Sequence, residues 1–344
     1  MDERLAYRPE KPRLSDNGLK GREGLAYFPD PDLMAAANAA LELQVPLLLT
    51  GEAGCGKTDF AFAAASGLSE DSRAGAKTPE PLECYVRSDS RARDLLYHYD
   101  AIHRFGDVQL GGEVAKVRAE DPRPYVRLRP LGQALMSSYL RVVLIDEIDK
   151  APRDLPNDLL RELDQGHFEI PEIPEDDRGQ ESPVDPDDPR TFQRTMRRPN
   201  PGQKPLVIIT SNVERQLPDP FLRRCVFYHI SFPRPEQLRD ILAARFQGPE
   251  PFIDRVVDIF GALRDVPMLT KKPATAELIH WVAGLRTLYD PRDVQRALDD
   301  FAGGAWPKAK AQDTSWSTLK WGELPLLGCL VKLREDQARL RVGI

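Results

Sequence analysis

Apolar and polar positions along the chain change their period several times, and those changes divide it. Residues 1 to about 22 are polar and carry Pro9, Pro12, Gly18 and Gly21, so they read as an extended arm. From Pro31 and Asp32 onward, Leu33, Ala36, Ala37, Ala40 and Leu41 recur on one helical face. The run Val45-Pro46-Leu47-Leu48-Leu49-Thr50 then predicts a buried strand, and residues 59–65 a helix. A polar loop at 70–81 leads to a second strand over 83–87. Continuous apolar runs return at 141–145 and 206–210, the pattern of strands covered on both faces in a parallel sheet, and 226–230 predicts a further strand. Between them, 131–139 and 154–165 have helical periodicity, the latter with Leu155, Leu159, Leu160 and Leu163 on one face. Five strands alternating with helices predict an α/β fold with a doubly wound parallel sheet.

Two stretches interrupt this alternation. Residues 91–125 begin as a helix and then reach RFGDVQLGGEVAK, where Gly106, Gly111 and Gly112 and short alternating apolar runs predict a hairpin within an insertion. Residues 172–202 hold many Pro, Asp and Glu and then Arg194, Arg197 and Arg198. That composition predicts a segment that buries no core, either a solvent loop or one that engages substrate. After Pro233-Arg234-Pro235 only helical periodicity remains, in segments starting near 236, 251, 275, 290 and 326. The expected organisation is an arm over 1–22, an α/β core over 23–233 with inserts near 99–117 and 167–205, and a smaller all-α domain over 234–344.

Composition narrows the function. With 344 residues, 41% of them apolar, the chain can build both cores. A net charge of −6 without a long basic stretch gives no electrostatic footprint for tight nucleic-acid binding. Cys55, Cys84, Cys225 and Cys329 are scattered without metal-ligand spacing, which argues against zinc and fits a reducing compartment. The charged N-terminus does not resemble a signal peptide, and no run of about 18 apolar residues exists. A cytoplasmic location is expected.

The octet GEAGCGKT joins the first strand to its helix, and that context points to phosphate binding. Gly51, Glu52, Ala53, Gly54, Cys55 and Gly56 form the loop, whose glycines let successive N–H groups face one anionic centre. Lys57 is placed to meet the β and γ phosphates of ATP, Thr58 to offer its hydroxyl to Mg²⁺, and Asp59 to continue the first turn. Asp146-Glu147 ends a buried strand roughly ninety residues later; Asp146 suits the Mg²⁺ shell and Glu147 the attacking water. Asn212 follows the fourth strand, where its amide either holds that water or caps a turn. Arg223 and Arg224 precede the fifth strand, placed either to reach a neighbouring subunit's phosphates or to form surface salt bridges.

Taken in order, GEAGCGKT, VVLIDEIDKAPRD, VIITSN and LPDPFLRRCVFYHI resemble the AAA+ ATPases, and among those the MoxR group of the helix-2 insert clade. The resemblance covers about residues 27–235 and continues more weakly beyond. It implies a homo-oligomeric ring, commonly a hexamer, with ATP at each interface. It also implies a protein client, often with a von Willebrand factor A partner, and inserts at 99–117 and 167–205 that face the ring axis or that partner. A second sensor in the lid is expected. Lys272, before a helix that runs through Trp281, is the first choice and Arg292 the second, with neither as the third possibility. Tyr27 and Phe28 either flank the adenine or pack on the first helix.

The leading expectation is thus Mg²⁺-dependent ATP hydrolysis that drives chaperone-like remodelling or assembly of a protein. The alternatives are a DNA-linked AAA+ protein, such as a helicase loader or a restriction or defence subunit, and an ATP-gated scaffold with slow hydrolysis. A GTPase is disfavoured, since no Asn-Lys-x-Asp motif occurs.

Overall fold

The structure, a computed structural model, describes residues 13–15, 18–70, 80–175, 184–200, 202–212, 215–246, 250–301 and 320–342. Much of the expected arm, nearly all of the loop at 70–81 and the acidic middle of the 172–202 segment lie outside those residues. The chain divides into two compact units, one of Met1–Gly51 and Lys57–Ile230, the other of Glu52–Gly56 and Ser231–Ile344.

In the first unit, Asp30 accepts the amide of Asp32 and so caps α1 (Pro31–Leu43), which has proline in its first turn. There follow β1 (Leu47–Gly51), α2 (Lys57–Glu70), β2 (Leu82–Tyr85), α3 (Ala92–Leu96), β3 (Tyr97–Tyr99), α4 (Ala101–Leu110) and α5 (Glu113–Glu120). Next come β4 (Val126–Leu128), α6 (Pro130–Met136), β5 (Val142–Asp146), α7 (Leu155–Gln165), β6 (His167–Glu169), β7 (Thr195–Arg197), β8 (Leu206–Ser211), α8 (Asp219–Leu222) and β9 (Val226–Ile230). Five of the strands form one sheet in the order β2-β5-β8-β1-β9, and every pairing in it is parallel. The α/β class and its doubly wound sheet therefore stand. All of β1 and β8 is buried, so their unbroken apolar runs follow from cover on both faces.

Two expectations about this unit are corrected. Residues 101–120 form two helices rather than a hairpin. Asp100 accepts the amide of His103 at 2.9 Å and starts α4, and Gly111-Gly112 separate α4 from α5 instead of turning a strand. Arg104 then joins the pair by donating to the carbonyl of Ala119 and the hydroxyl of Tyr99. The apolar residues Ile102, Phe105 and Val108 do have helical spacing, but they face solvent with Leu110, Val114 and Val117. The second correction concerns 172–202. Ile173, Phe192 and Met196 are buried in the main core, and β6 pairs antiparallel with β7. A few apolar anchors among many polar residues suffice, because buried Arg123 donates to the carbonyl of Phe192 and ties the segment down.

The second unit contains α9 (Pro235–Arg245), α10 (Glu250–Arg264), α11 (Thr275–Leu288), α12 (Pro291–Phe301), α13 (Leu327–Leu330) and α14 (Arg334–Val342). Trp281, Phe260 and Trp321 centre its core, and the Trp281 indole donates to the carbonyl of Pro325 at 2.7 Å. The last helical segment, expected as one helix from near 326, is two, because fully buried Val331 takes an extended conformation between them. Asp336 is also fully buried and accepts the amides of Thr270 and Lys271. Among the described residues no helix is long and apolar enough to cross a membrane.

Candidate active site

The carboxyl ends of β1, β5 and β8 lie side by side, and the polar residues there replace the apolar ones within a single step. Register sets the arrangement: Ile145 pairs with Ile209, so Asp146 and Thr210 fall level just beyond them. Such an edge is where open α/β sheets hold ligands.

From β1 the chain enters the glycine loop, where Gly54 has φ +75° and Gly56 φ +93°, values that side chains oppose. Lys57 at the start of α2 is buried, and its ammonium donates to the carbonyl of Gly51 at 2.9 Å. Thr58 donates its hydroxyl to Asp146 Oδ1 at 3.2 Å. Asp59 is exposed in the first turn. Glu52, Ala53 and Gly54 are exposed, whereas Cys55 is buried.

Thr210 binds the two acidic residues together. Its hydroxyl donates to Asp146 Oδ1 at 2.5 Å and accepts the amide of Glu147 at 2.9 Å. Glu147 has left-handed angles, φ 57° and ψ 51°, a conformation that costs a non-glycine residue on the order of 1 kcal/mol. Asn212 donates its side-chain amide to Glu147 Oε1 at 3.1 Å, while its own backbone amide donates to Asp149 Oδ1 at 3.3 Å. Lys150 pairs with the other carboxylate oxygen of Glu147. Lys57, Thr58, Asp146, Glu147 and Asn212 therefore gather at one edge. Thr210, Asp149 and Lys150 join them, and sequence reasoning had assigned these three no role. The signal for Thr210 was its place one residue past the last apolar position of β8, opposite Asp146.

The remaining expected residues have other surroundings. Arg223 and Arg224 are exposed just after α8, and Arg224 stands 3.9 Å from Asp164 with both side chains more than half exposed. Lys272 is exposed ahead of α11, and Arg292 is exposed in the first turn of α12 with its amide donated to Asp290. Ala274 and Thr275 lie against Gly54 of the glycine loop. A Cβ on Gly54 would lie 2.7 Å from that of Ala274. Tyr27 packs on Phe60 of α2 with ring centroids 5.8 Å apart, and Phe28 is 43% exposed. Burial pushes the thiols of Cys84 and Cys225 up to about 12, which leaves them inert as nucleophiles.

The sequence model of the AAA domain (dynein-related subfamily) matches residues 46–225, just over half of the chain. The chain belongs to this family of AAA+ ATPases. As a member it is an ATP-hydrolysing P-loop NTPase, and the family implies nucleotide binding. No curated protein matches in sequence. Among solved structures, the FIGL-1 AAA domain in complex with ADP is 16% identical with a TM-score of 0.36, covering 77% of this chain and 73% of that one. The Escherichia coli MS115-1 HORMA:CdnC:Trip13 complex contains a chain 12% identical with a TM-score of 0.34, covering 76% and 68%. Domain III of the Thermotoga maritima replication initiation protein DnaA is 14% identical with a TM-score of 0.39, covering 80% and 94%.

Proposed function

We propose that this AAA domain protein is a magnesium-dependent ATPase of the MoxR type that assembles as a ring, commonly of six subunits, and uses hydrolysis to remodel or assemble a protein partner. The observation that carries the catalytic part is the shared hydroxyl of Thr210, which fixes Asp146 and Glu147 relative to each other. Thr58 and Asp146 fit Mg²⁺: they offer a hydroxyl and a carboxylate oxygen 3.2 Å apart, the hard donors this ion takes alongside phosphate oxygens. When bound, Mg²⁺ would neutralise charge developing on the phosphates. Glu147 would orient and polarise the attacking water, and Asn212, now bonded to its carboxylate, would hold that water once released. Lys57 would turn from the Gly51 carbonyl to the phosphates. Arg224, exposed at the end of α8, would stabilise the transferred group in a neighbouring subunit, with Arg223 beside it.

The apolar surface of α4 and α5 supports a protein partner. Ile102, Leu110 and Val114 are each more than 80% exposed, and a patch of this kind marks an interaction face. A protein client, with or without a von Willebrand factor A component, fits such a face better than the phosphate backbone of a nucleic acid does.

One observation favours a slower, gated variant of this reading. Both carboxylate oxygens of Glu147 are engaged, by Asn212 and Lys150, so basal turnover is expected to be low until a partner or neighbouring subunit frees them. The test is phosphate release by the unsubstituted and Glu147→Gln proteins, with particle mass measured in ATP. Turnover should vanish in the variant while a ring still forms. Near wild-type turnover, or a particle that stays monomeric, would sink the reading.

A further inference from the structure

The loop residues Glu52–Gly56 fold with the helices of the second unit, where one side chain has surroundings that hydrolysis as described leaves unused. Arg264 closes α10. Its Nη2 donates to Glu52 Oε2 at 2.8 Å, its Nη1 donates to the carbonyl of Pro273, and its guanidinium carbon lies 3.4 Å from the centroid of the Phe232 ring. Only 11% of its side chain is exposed, against 56% for Glu52.

These surroundings separate the pair from an ordinary surface salt bridge, which gains little because two mobile side chains must both be ordered. Arg264 is already fixed, by a carbonyl on one side and an aromatic face on the other. Its planar fork suits that combination and a lysine ammonium does not. Pairing therefore restrains Glu52 alone. The same guanidinium anchors Pro273, the residue before Ala274, which abuts Gly54 closely enough to exclude a side chain there. One cation thus holds the second residue of the glycine loop and the backbone against its fourth.

We propose that Arg264 is a positioning residue for the phosphate loop: through Glu52 it keeps the loop in the conformation that receives nucleotide phosphates, without touching the nucleotide. The inference rests on the loop binding nucleotide, as the family implies. A loop that populates its competent form less often binds all its ligands more weakly by the same factor. Since Glu52 does not distinguish γ-phosphate, ATP and ADP should weaken alike.

The test measures ADP and ATP affinity by calorimetry on the full chain, for Glu52→Gln, Arg264→Met, the double variant and Arg264→Lys. Each of the first two should weaken both nucleotides about three- to fivefold, the scale of one well-ordered ion pair. The double variant should be no worse than either single one, and Arg264→Lys should retain part of the affinity, a rescue that loss of packing alone would not predict. Glu52 is exposed, so its variant reads the pair even where Arg264→Met fails to fold. Losses that multiply in the double variant, or a loss confined to ATP, would overturn the positioning role while leaving nucleotide binding intact. Absence of binding in the unsubstituted chain would overturn both.

Discussion

Thr210→Val is the sharpest probe of the proposed catalytic edge, because valine keeps the shape of threonine and removes only its hydroxyl. Thr210 is 1% exposed, so no bulk water replaces what is lost. Two hydrogen bonds go: the one donated to Asp146 Oδ1 at 2.5 Å and the one accepted from the Glu147 amide at 2.9 Å. A bond to a charged group contributes about 1.5–3 kcal/mol and a neutral one about 1 kcal/mol, which places the loss of stability at about 2.5–4 kcal/mol. The amide left behind belongs to a residue in left-handed backbone, so the same change removes one of the restraints that keep Glu147 there. Displacement of a catalytic group by about 1 Å costs on the order of a hundredfold in rate, and kcat for ATP should fall by that order. Thr210→Ser retains the hydroxyl and loses one methyl, worth about 1 kcal/mol, so it should keep most of both stability and turnover. Urea unfolding and phosphate release at saturating Mg²⁺-ATP measure the two effects. The reasoning is refuted if Thr210→Val turns over like wild type, or if the serine variant is as impaired as the valine one.

Three further outcomes follow from other parts of the molecule. Arg224→Ala should nearly abolish hydrolysis with nucleotide affinity within about twofold, and mixing it into unsubstituted protein should depress activity by more than dilution; a loss merely proportional to dilution would place no residue in a neighbour's site. Gly54→Ala should weaken ATP binding by at least about tenfold, since the new Cβ would meet Ala274 at 2.7 Å in backbone with φ +75°; an unchanged affinity would mean the loop shifts freely. Asp336→Asn should lower the melting temperature by several degrees. Burial tends to raise the Asp336 pKa, but the amides of Thr270 and Lys271 and the charge of Arg339 outweigh it and hold the carboxyl below its ordinary value. The stability it lends is therefore complete above the unfolded carboxylate pKa and is lost as pH falls through the lower folded one. Melting scans from neutral to acid pH should show that acid-side loss in the unsubstituted protein and a smaller one in the variant.

Much of the core was legible because burial on both faces leaves a plain record. The runs at 47–49, 142–145 and 206–209 are unbroken since each of those residues sits inside the parallel sheet. Where one face stays open, the record weakens. Ile102, Phe105 and Val108 recur every three residues, yet Gly106 and the Gly111-Gly112 pair argued more loudly for a turn, and the apolar face they mark points outward rather than to a core. In the 172–202 segment, three anchors at Ile173, Phe192 and Met196 were hidden by the acidic and proline residues around them. What holds that segment is partly Arg123, a charged residue 5% exposed whose partner carbonyl is 69 positions away, and no local pattern announces such a pairing.

The candidate site divides along the same line. Glycines, lysine and adjacent carboxylates carry their chemistry in their identity, so GEAGCGKT and Asp146-Glu147 announce a candidate site in the sequence itself. Thr210 and Asp149 act through where the fold puts them. Thr210 does its work only because β5 and β8 are paired with Ile145 level with Ile209, which sets its hydroxyl beside Asp146. Shifting that register by one residue would turn every side chain of one strand to the opposite face and separate the two. The apolar runs that look purely structural are therefore part of the arrangement at the candidate site: by fixing register to the residue, Val142 to Ile145 and Leu206 to Ile209 decide which hydroxyl meets which carboxylate at the edge of the sheet.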